Sequence, residues 1–102
     1  MAEVLGAEEL GRVAGELPGW TVSPGALVKE LRFDGFSAAF AFLTRVALLA
    51  EKQGHHPDFT CSYSRVRLEL RSHDADGVTA RDVDLARAIE GLLAAPPAPR
   101  PS

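Results

Sequence analysis

Three histidines are the residues of this sequence best suited to chemistry, and they fall in two predicted loops. His55 and His56 are adjacent, and His73 follows a later predicted strand. Histidine gives and takes protons near neutral pH, so a group of them can supply a general acid and a general base. A single histidine is more often a surface or capping residue. Their grouping therefore indicates a possible proton-transfer site but does not identify a reaction.

Pro57 bears on how the two adjacent histidines are presented. A proline disfavours helical geometry in the residue before it, so His56 is expected to be extended. Neighbouring side chains of an extended chain point to opposite sides. Both imidazoles can therefore enter one pocket only if this segment is irregular, and the flanking Gly54 and Pro57 make that possible.

Two acidic residues are candidates to orient an imidazole. Glu51 lies one helical turn before His55 and could hold its ring, although it could equally be a solvated charge on the helix face. Asp82 could reach a catalytic histidine. It also occupies the N3 position of a capping box that begins at Thr79, which explains it completely without catalysis. Both interpretations stay open for each acid.

Metal and thiol chemistry find less support in the sequence. The histidines and Cys61 are possible zinc ligands, but their spacing matches no zinc finger, and no His-Glu-x-x-His motif occurs. Cys61 alternates with Phe59 and Tyr63 in a predicted strand, which favours a small core residue over an exposed nucleophile. We therefore predict no metal site.

Seven predicted elements must position these residues. Hydrophobic periodicity, turn residues and caps predict their order as helix, strand, strand, helix, strand, strand, helix. The long helix is expected to begin after Asp34 as N-cap and to end at Gly54 as a left-handed C-cap. Two hairpins favour an α+β fold, a four-stranded antiparallel sheet with three helices packed on one face. The predicted ranges are 7–17, 20–22, 26–33, 35–53, 59–63, 66–71 and 79–94.

Composition and charge narrow the class of protein. The 102 residues fit one domain, predicted over residues 1–95, with a proline-rich disordered tail at 96–102. A net charge of −3 argues against a broad nucleic-acid-binding surface. No apolar run reaches the ~18 residues needed to span a bilayer. An acidic amino terminus and a single cysteine lead us to expect a cytoplasmic protein.

The long helix is more apolar than an ordinary surface helix. On a helical wheel its apolar arc covers more than half the circumference, whereas an amphipathic surface helix shows a stripe of roughly 100°. Such a helix in a small chain predicts a second subunit packed against it. The alternative is a central helix covered by its own chain.

The segment from Arg45 to Asp58 resembles the pterin-4a-carbinolamine dehydratase family. The family pattern has an acidic or polar residue, a three-residue gap and His-His-Pro, followed at set distances by Tyr, His and Asp. Gly19-Trp20 and the segment 79–86 are also similar, and the resemblance covers about residues 7–94. Phe59 departs from the tryptophan found in many members. The pattern falls on Glu51, His55, His56, Pro57, Tyr63, His73 and Asp82.

The resemblance implies dehydration of 4a-hydroxytetrahydrobiopterin to quinonoid dihydropterin, the step that recycles tetrahydrobiopterin after aromatic hydroxylation. It implies that His55 and His73 are the acid and base, that His56 belongs to the catalytic set mainly by binding the pterin, and that Asp82 orients groups in the site. It implies no metal or organic cofactor. The residues expected to contact the substrate are Glu51, Trp20 and Pro57.

The resemblance also bears on assembly. It implies a homodimer formed through the sheets, and a homotetramer formed through the long helices. The alternative function is a non-catalytic interaction module, similar to members that act as dimerisation cofactors of a transcription factor through the long-helix surface.

Overall fold

The computed structural model describes residues 3–94 and contains the seven predicted elements in the predicted order. The predicted boundary at residue 95 and the predicted tail lie outside these residues. The elements are α1 (Ala7–Glu16), β1 (Thr21–Val22), β2 (Leu27–Arg32), α2 (Phe36–Gln53), β3 (Asp58–Ser62), β4 (Arg65–Leu70) and α3 (Ala80–Ala94).

The four strands form one antiparallel sheet in the order β1-β2-β4-β3. Alternation along β4 turns Val66, Leu68 and Leu70 towards the helices and leaves Arg65 and Arg67 exposed on the outer face. Opposite β4, Leu27 of β2 is fully buried. The predicted α+β fold is confirmed, with one sheet face covered by helices and the other left open.

The core lies between the sheet and the helices. Leu10 and Val13 of α1, Phe42 and Val46 of α2, and Ile89 of α3 are buried in one apolar cluster with the inner side chains of the sheet. Burial of one such side chain stabilises the fold by roughly 1.5–3 kcal/mol. Within residues 3–94 no helix combines the length and hydropathy needed to cross a membrane.

The two ends of α2 differ in how well they were predicted. Gly54 is the left-handed C-cap, at φ 65° and ψ 29°, as predicted. The predicted N-cap, Asp34, is wrong. The helix begins one residue later than that cap requires, so Gly35 occupies the N-cap position in an extended conformation and supplies no side-chain cap.

The hairpin joining β3 and β4 also departs from the predicted pattern. Tyr63 was predicted inside a strand, but it lies in the turn at φ 54° and is 70% exposed. Phe59 shares the inner face yet is 56% exposed, because β3 is an edge strand with incomplete cover. Only Cys61 of this alternating set packs partly buried against the core.

Candidate functional site

His55 and Asp82 form a buried pair where the end of α2 meets the start of α3. The left-handed Gly54 turns the chain out of the helix, and the His55 backbone N–H bonds to the Ala50 carbonyl at 3.1 Å. The ring Nε2 lies 2.5 Å from Oδ1 of Asp82. His55 is 9% exposed and Asp82 is fully buried. Because a carboxylate can only accept, this contact assigns a proton to Nε2.

The second oxygen of Asp82 belongs to the cap of α3. Oδ2 accepts the Thr79 backbone N–H at 2.9 Å and the Ser72 hydroxyl at 2.9 Å. The Thr79 hydroxyl accepts the Arg81 N–H at 3.3 Å, within the first turn of α3. The Asp82 half of the predicted capping box is thus present, whereas the Thr79 hydroxyl accepts the N–H of Arg81 at N2 in place of that of Asp82 at N3. Asp82 therefore contacts a histidine through Oδ1 and caps α3 through Oδ2, so the capping role does not prevent it from reaching His55.

His56 points the other way and contacts Glu51. Its Nε2 lies 3.0 Å from Oε1 of Glu51, and both side chains are exposed. The expectation that Glu51 orients His55 is therefore wrong. The left-handed turn at Gly54 removes His55 from the helix face on which Glu51 lies. The carboxylate that contacts His55 is that of Asp82.

An apolar groove of about 270 Å³ runs between α2 and the segment 56–59. Its lining brings together three residues of the predicted site, Glu51, His56 and Pro57, with aromatic walls from Phe40 and Phe59, and it includes neither His55 nor His73. This volume lies just below the usual range for small-molecule pockets, about 300–1,000 Å³. A larger depression of about 450 Å³ lies on the outer sheet face, but it is lined mainly by polar and charged residues and includes no histidine.

His73 lies on the loop between β4 and α3 and contacts the first residue of β3. Its Nε2 lies 3.0 Å from Oδ2 of Asp58, and both side chains are about half exposed. The register Asp58↔Glu69 sets the start of β3 beside the end of β4, which brings the two histidine-bearing loops together. Nε2 of each of the three histidines thus lies within hydrogen-bond distance of a carboxylate oxygen.

A salt bridge ties the His73 loop to α3. Nη2 of Arg81 lies 2.5 Å from Oδ1 of Asp74, the residue after His73. The hydrogen bond from Arg81 holds the pKa of Asp74 below its ordinary value. Because both side chains reach solvent, we attribute to this pair a role in loop position rather than in stability.

The structure does not bring Trp20 to the histidines. Its indole Nε1 donates to Oε2 of Glu90 at 3.1 Å, and Nζ of Lys29 lies 5.7 Å from the ring centre. Glu90 lies more than two helical turns beyond Asp82 on α3. Trp20 therefore packs beside the carboxyl-terminal half of α3, and its expected contact with a substrate stays a prediction.

Two polar residues of the site, Ser72 and Asp58, were missed as site residues from the sequence. A serine just after a strand carries no distinctive signal, whereas Asp58 could have been found from the hairpin register that sets β3 beside β4. Across residues 3–94, no three His, Cys, Asp or Glu side chains converge in a group that could hold a metal ion.

Known proteins resemble this chain over most of its length. The profile of the Pterin 4 alpha carbinolamine dehydratase family matches residues 3–92. A protein of Prochlorococcus marinus (strain MIT 9313), provisionally named a pterin-4-alpha-carbinolamine dehydratase, is 49% identical over 91 residues, 89% of this chain and 95% of its own. A provisionally named dehydratase of Burkholderia cenocepacia (strain HI2424) is 50% identical over 80 residues, 76% of this chain and 78% of its own.

Two solved structures are similar to this chain in fold. A Brucella melitensis protein described as a transcriptional coactivator/pterin dehydratase superposes with a TM-score of 0.81 at 34% identity, over 86% of this chain and 96% of its own. A pterin dehydratase-like RuBisCO assembly factor of the alpha-carboxysome shares the fold, with a TM-score of 0.60 at 22% identity, over 76% of this chain and 89% of its own. The chain thus belongs to the pterin 4 alpha carbinolamine dehydratase family.

Proposed function

We propose that this protein is a 4a-hydroxytetrahydrobiopterin dehydratase that works by histidine acid–base catalysis. The observation that carries the proposal is the buried hydrogen bond between His55 and Asp82, in a chain of the dehydratase family. A buried imidazole with one nitrogen held by a carboxylate has a defined tautomer and a fixed ring, which are the properties of a positioned acid or base.

The proposed reaction requires one proton donor and one proton acceptor. The bond from carbon 4a to the hydroxyl oxygen breaks, and the oxygen takes a proton and leaves as water. The adjacent ring nitrogen loses its proton, and the electron pair freed there forms the carbon–nitrogen double bond of quinonoid dihydropterin. Nothing is oxidised or reduced. His55 and His73 are the proposed pair, as the resemblance to the family implies. With Nε2–H of each directed at a carboxylate, the acid must be the imidazolium that donates from Nδ1, and the base must be the neutral imidazole that accepts at Nδ1.

The apolar groove beside α2 is the proposed approach for the pterin. A flat heteroaromatic ring suits a groove with aromatic walls and a few polar groups at one end. His56 and Glu51 are those polar groups here, and Pro57 stiffens the segment that carries them. In this proposal His56 binds substrate, and Asp82 positions His55 without touching the substrate.

Self-association is part of the proposal. Phe36, Phe40 and Leu48 of α2 are 52%, 57% and 68% exposed, respectively. They lie at multiples of four residues along one side of the helix, interrupted by the exposed Thr44, and are called the apolar strip. Burial of such large side chains against another subunit is favourable. We propose that copies pair through this strip and through an exposed sheet edge, as a homodimer or a homotetramer.

The exposed strip also favours a second candidate function, an interaction module without catalysis. The Brucella melitensis relative is described as both a coactivator and a pterin dehydratase. An interaction module needs the buried His55–Asp82 pair at most for its fold, whereas a dehydratase needs it for turnover. The two candidates are therefore separated by the effect of changes at that pair on turnover.

The test is a dehydration assay with the wild type and with His55→Ala and His73→Ala. We expect each substitution to lower the rate by about 10²–10⁴-fold, the usual contribution of one acid–base group. A wild-type rate equal to the uncatalysed rate would reject the enzyme and leave the interaction module. Equal rates for the three proteins would reject the residue assignment.

A further inference from the structure

Ser72 connects the supports of the two proposed proton-transfer histidines. It directly precedes His73, and its backbone closes the loop that carries His73, with its N–H bonded to the Gly77 carbonyl at 2.9 Å. Its hydroxyl donates to Asp82, the partner of His55. Ser72 and Asp82 are both fully buried. One serine therefore belongs to the framework of both histidines.

The hydrogen bonds around Ser72 run in one direction. The single hydroxyl proton of Ser72 goes to Oδ2 of Asp82 at 2.9 Å. The Thr79 hydroxyl lies 2.7 Å from the Ser72 oxygen, so Thr79 must be the donor in that contact. The Thr79 oxygen in turn accepts the Arg81 N–H. Donors therefore follow one another from Arg81 through Thr79 and Ser72 to the Asp82 carboxylate.

This series of hydrogen bonds affects the geometry of His55. The Thr79 N–H and the Ser72 hydroxyl both hold Oδ2, and together they leave Oδ1 facing Nε2 of His55. With one of those donors gone, a buried carboxylate would have fewer contacts to fix its plane. Buried polar networks of this kind set a unique arrangement only when every member is satisfied.

The geometry points to Ser72 as a positioning residue of the acid–base site, one that holds the Asp82 carboxylate in line with His55 without contacting the substrate. The effect on turnover rests on the proposed dehydratase function, whereas the effect on the His55–Asp82 hydrogen bond does not.

The experiment compares Ser72→Ala with Ser72→Thr, which keeps the hydroxyl, and with Ser62→Ala, which changes an exposed serine on β3. The first readout is the NMR signal of the His55 Nε2–H in the full-length ¹⁵N-labelled protein, assigned by its loss in His55→Ala. We expect a protected signal in the wild type, Ser72→Thr and Ser62→Ala, and a signal broadened by exchange with water in Ser72→Ala. The second readout is kcat, which we expect to fall about tenfold in Ser72→Ala with KM unchanged.

A Ser72→Ala protein that keeps the wild-type Nε2–H signal would overturn the inference. So would a Ser72→Thr protein that loses the signal as fully as Ser72→Ala. If Ser72→Ala does not fold, as judged by circular dichroism, Ser72→Cys replaces it, because a thiol is similar in shape and a weak donor. A wild type without dehydratase activity would reject the proposed function, and the NMR signal would still decide the role of Ser72.

Discussion

Nε2 of His55 lies 2.5 Å from Oδ1 of Asp82, while the other oxygen of the same carboxylate caps α3. One fully buried side chain thus joins the end of the long helix to the start of the last helix. The helix start and the imidazole are positioned together, so a change at Asp82 should alter both the stability of the fold and the chemistry of the site.

Asp82→Asn should separate these two roles. The amide oxygen can still accept the Thr79 N–H, but with that oxygen engaged, the amide NH₂ cannot accept the His55 Nε2–H. We expect the dehydration rate to fall by roughly 10²-fold or more, as for loss of a proton-transfer group, with helix content retained. Asp82→Ala should in addition lower the free energy of unfolding by about 1–3 kcal/mol, because buried donors lose their acceptor.

Urea unfolding and the dehydration assay measure the two effects. Asp84→Asn is the matched control, since Asp84 is an exposed aspartate on the same helix. The account of Asp82 would be contradicted if Asp82→Asn and Asp84→Asn had the same rate.

Gly54→Ala should test the turn that directs His55 into the core. Gly54 has φ +65°, and a Cβ added there meets no atom within 4 Å, so the cost is that of the backbone conformation alone. We expect a loss of roughly 1–2 kcal/mol in the free energy of unfolding. Gly11→Ala, near the middle of α1 and also without a close neighbour, should instead gain about 0.5–1 kcal/mol. Urea titration measures the free energy of unfolding of both variants. A change of the same sign in both would contradict this prediction.

His56→Ala and His55→Ala should differ in kinetic pattern. His56 is exposed at the groove and is proposed to bind substrate, whereas His55 is buried against Asp82 and is proposed to transfer a proton. We expect His56→Ala mainly to raise KM and His55→Ala mainly to lower kcat. Steady-state kinetics over a range of substrate concentrations distinguishes the two, and a fall in kcat of equal size in both variants would remove the distinction.

The apolar strip of α2 leads to a prediction about assembly. Phe36→Asp and Leu48→Asp each place a charge on an exposed part of the helix outside the groove lining, so the subunit should still fold while its association weakens. Size-exclusion chromatography with light scattering should show a wild-type oligomer and smaller species for both variants. Arg45→Asp changes an exposed residue outside the strip and should leave the mass unchanged. A monomeric wild type at micromolar concentration would contradict the proposed assembly.

Local patterns predicted the elements well because they depend on near neighbours. The alternation of Val66, Leu68 and Leu70, the C-cap at Gly54 and the cap of α3 by Asp82 can all be identified from a few adjacent residues, and the structure contains all three.

The partners of the site residues were harder to predict, because they depend on how distant elements meet. Helical spacing predicted that Glu51 contacts His55. The left-handed Gly54 changes the direction of the chain just before His55, and Glu51 contacts His56. Trp20 bonds to Glu90, seventy positions away, and no local pattern reveals that contact. The Ser72 hydroxyl reaches Asp82 only because a strand end lies beside the cap of α3.

The most direct measurement of the central claim is the rate of 4a-carbinolamine dehydration by the wild type and by His55→Ala, compared with the uncatalysed rate. The account predicts a wild-type rate well above the uncatalysed one and a loss of about 10²–10⁴-fold in the variant. A folded His55→Ala protein that dehydrates the carbinolamine as fast as the wild type would contradict it.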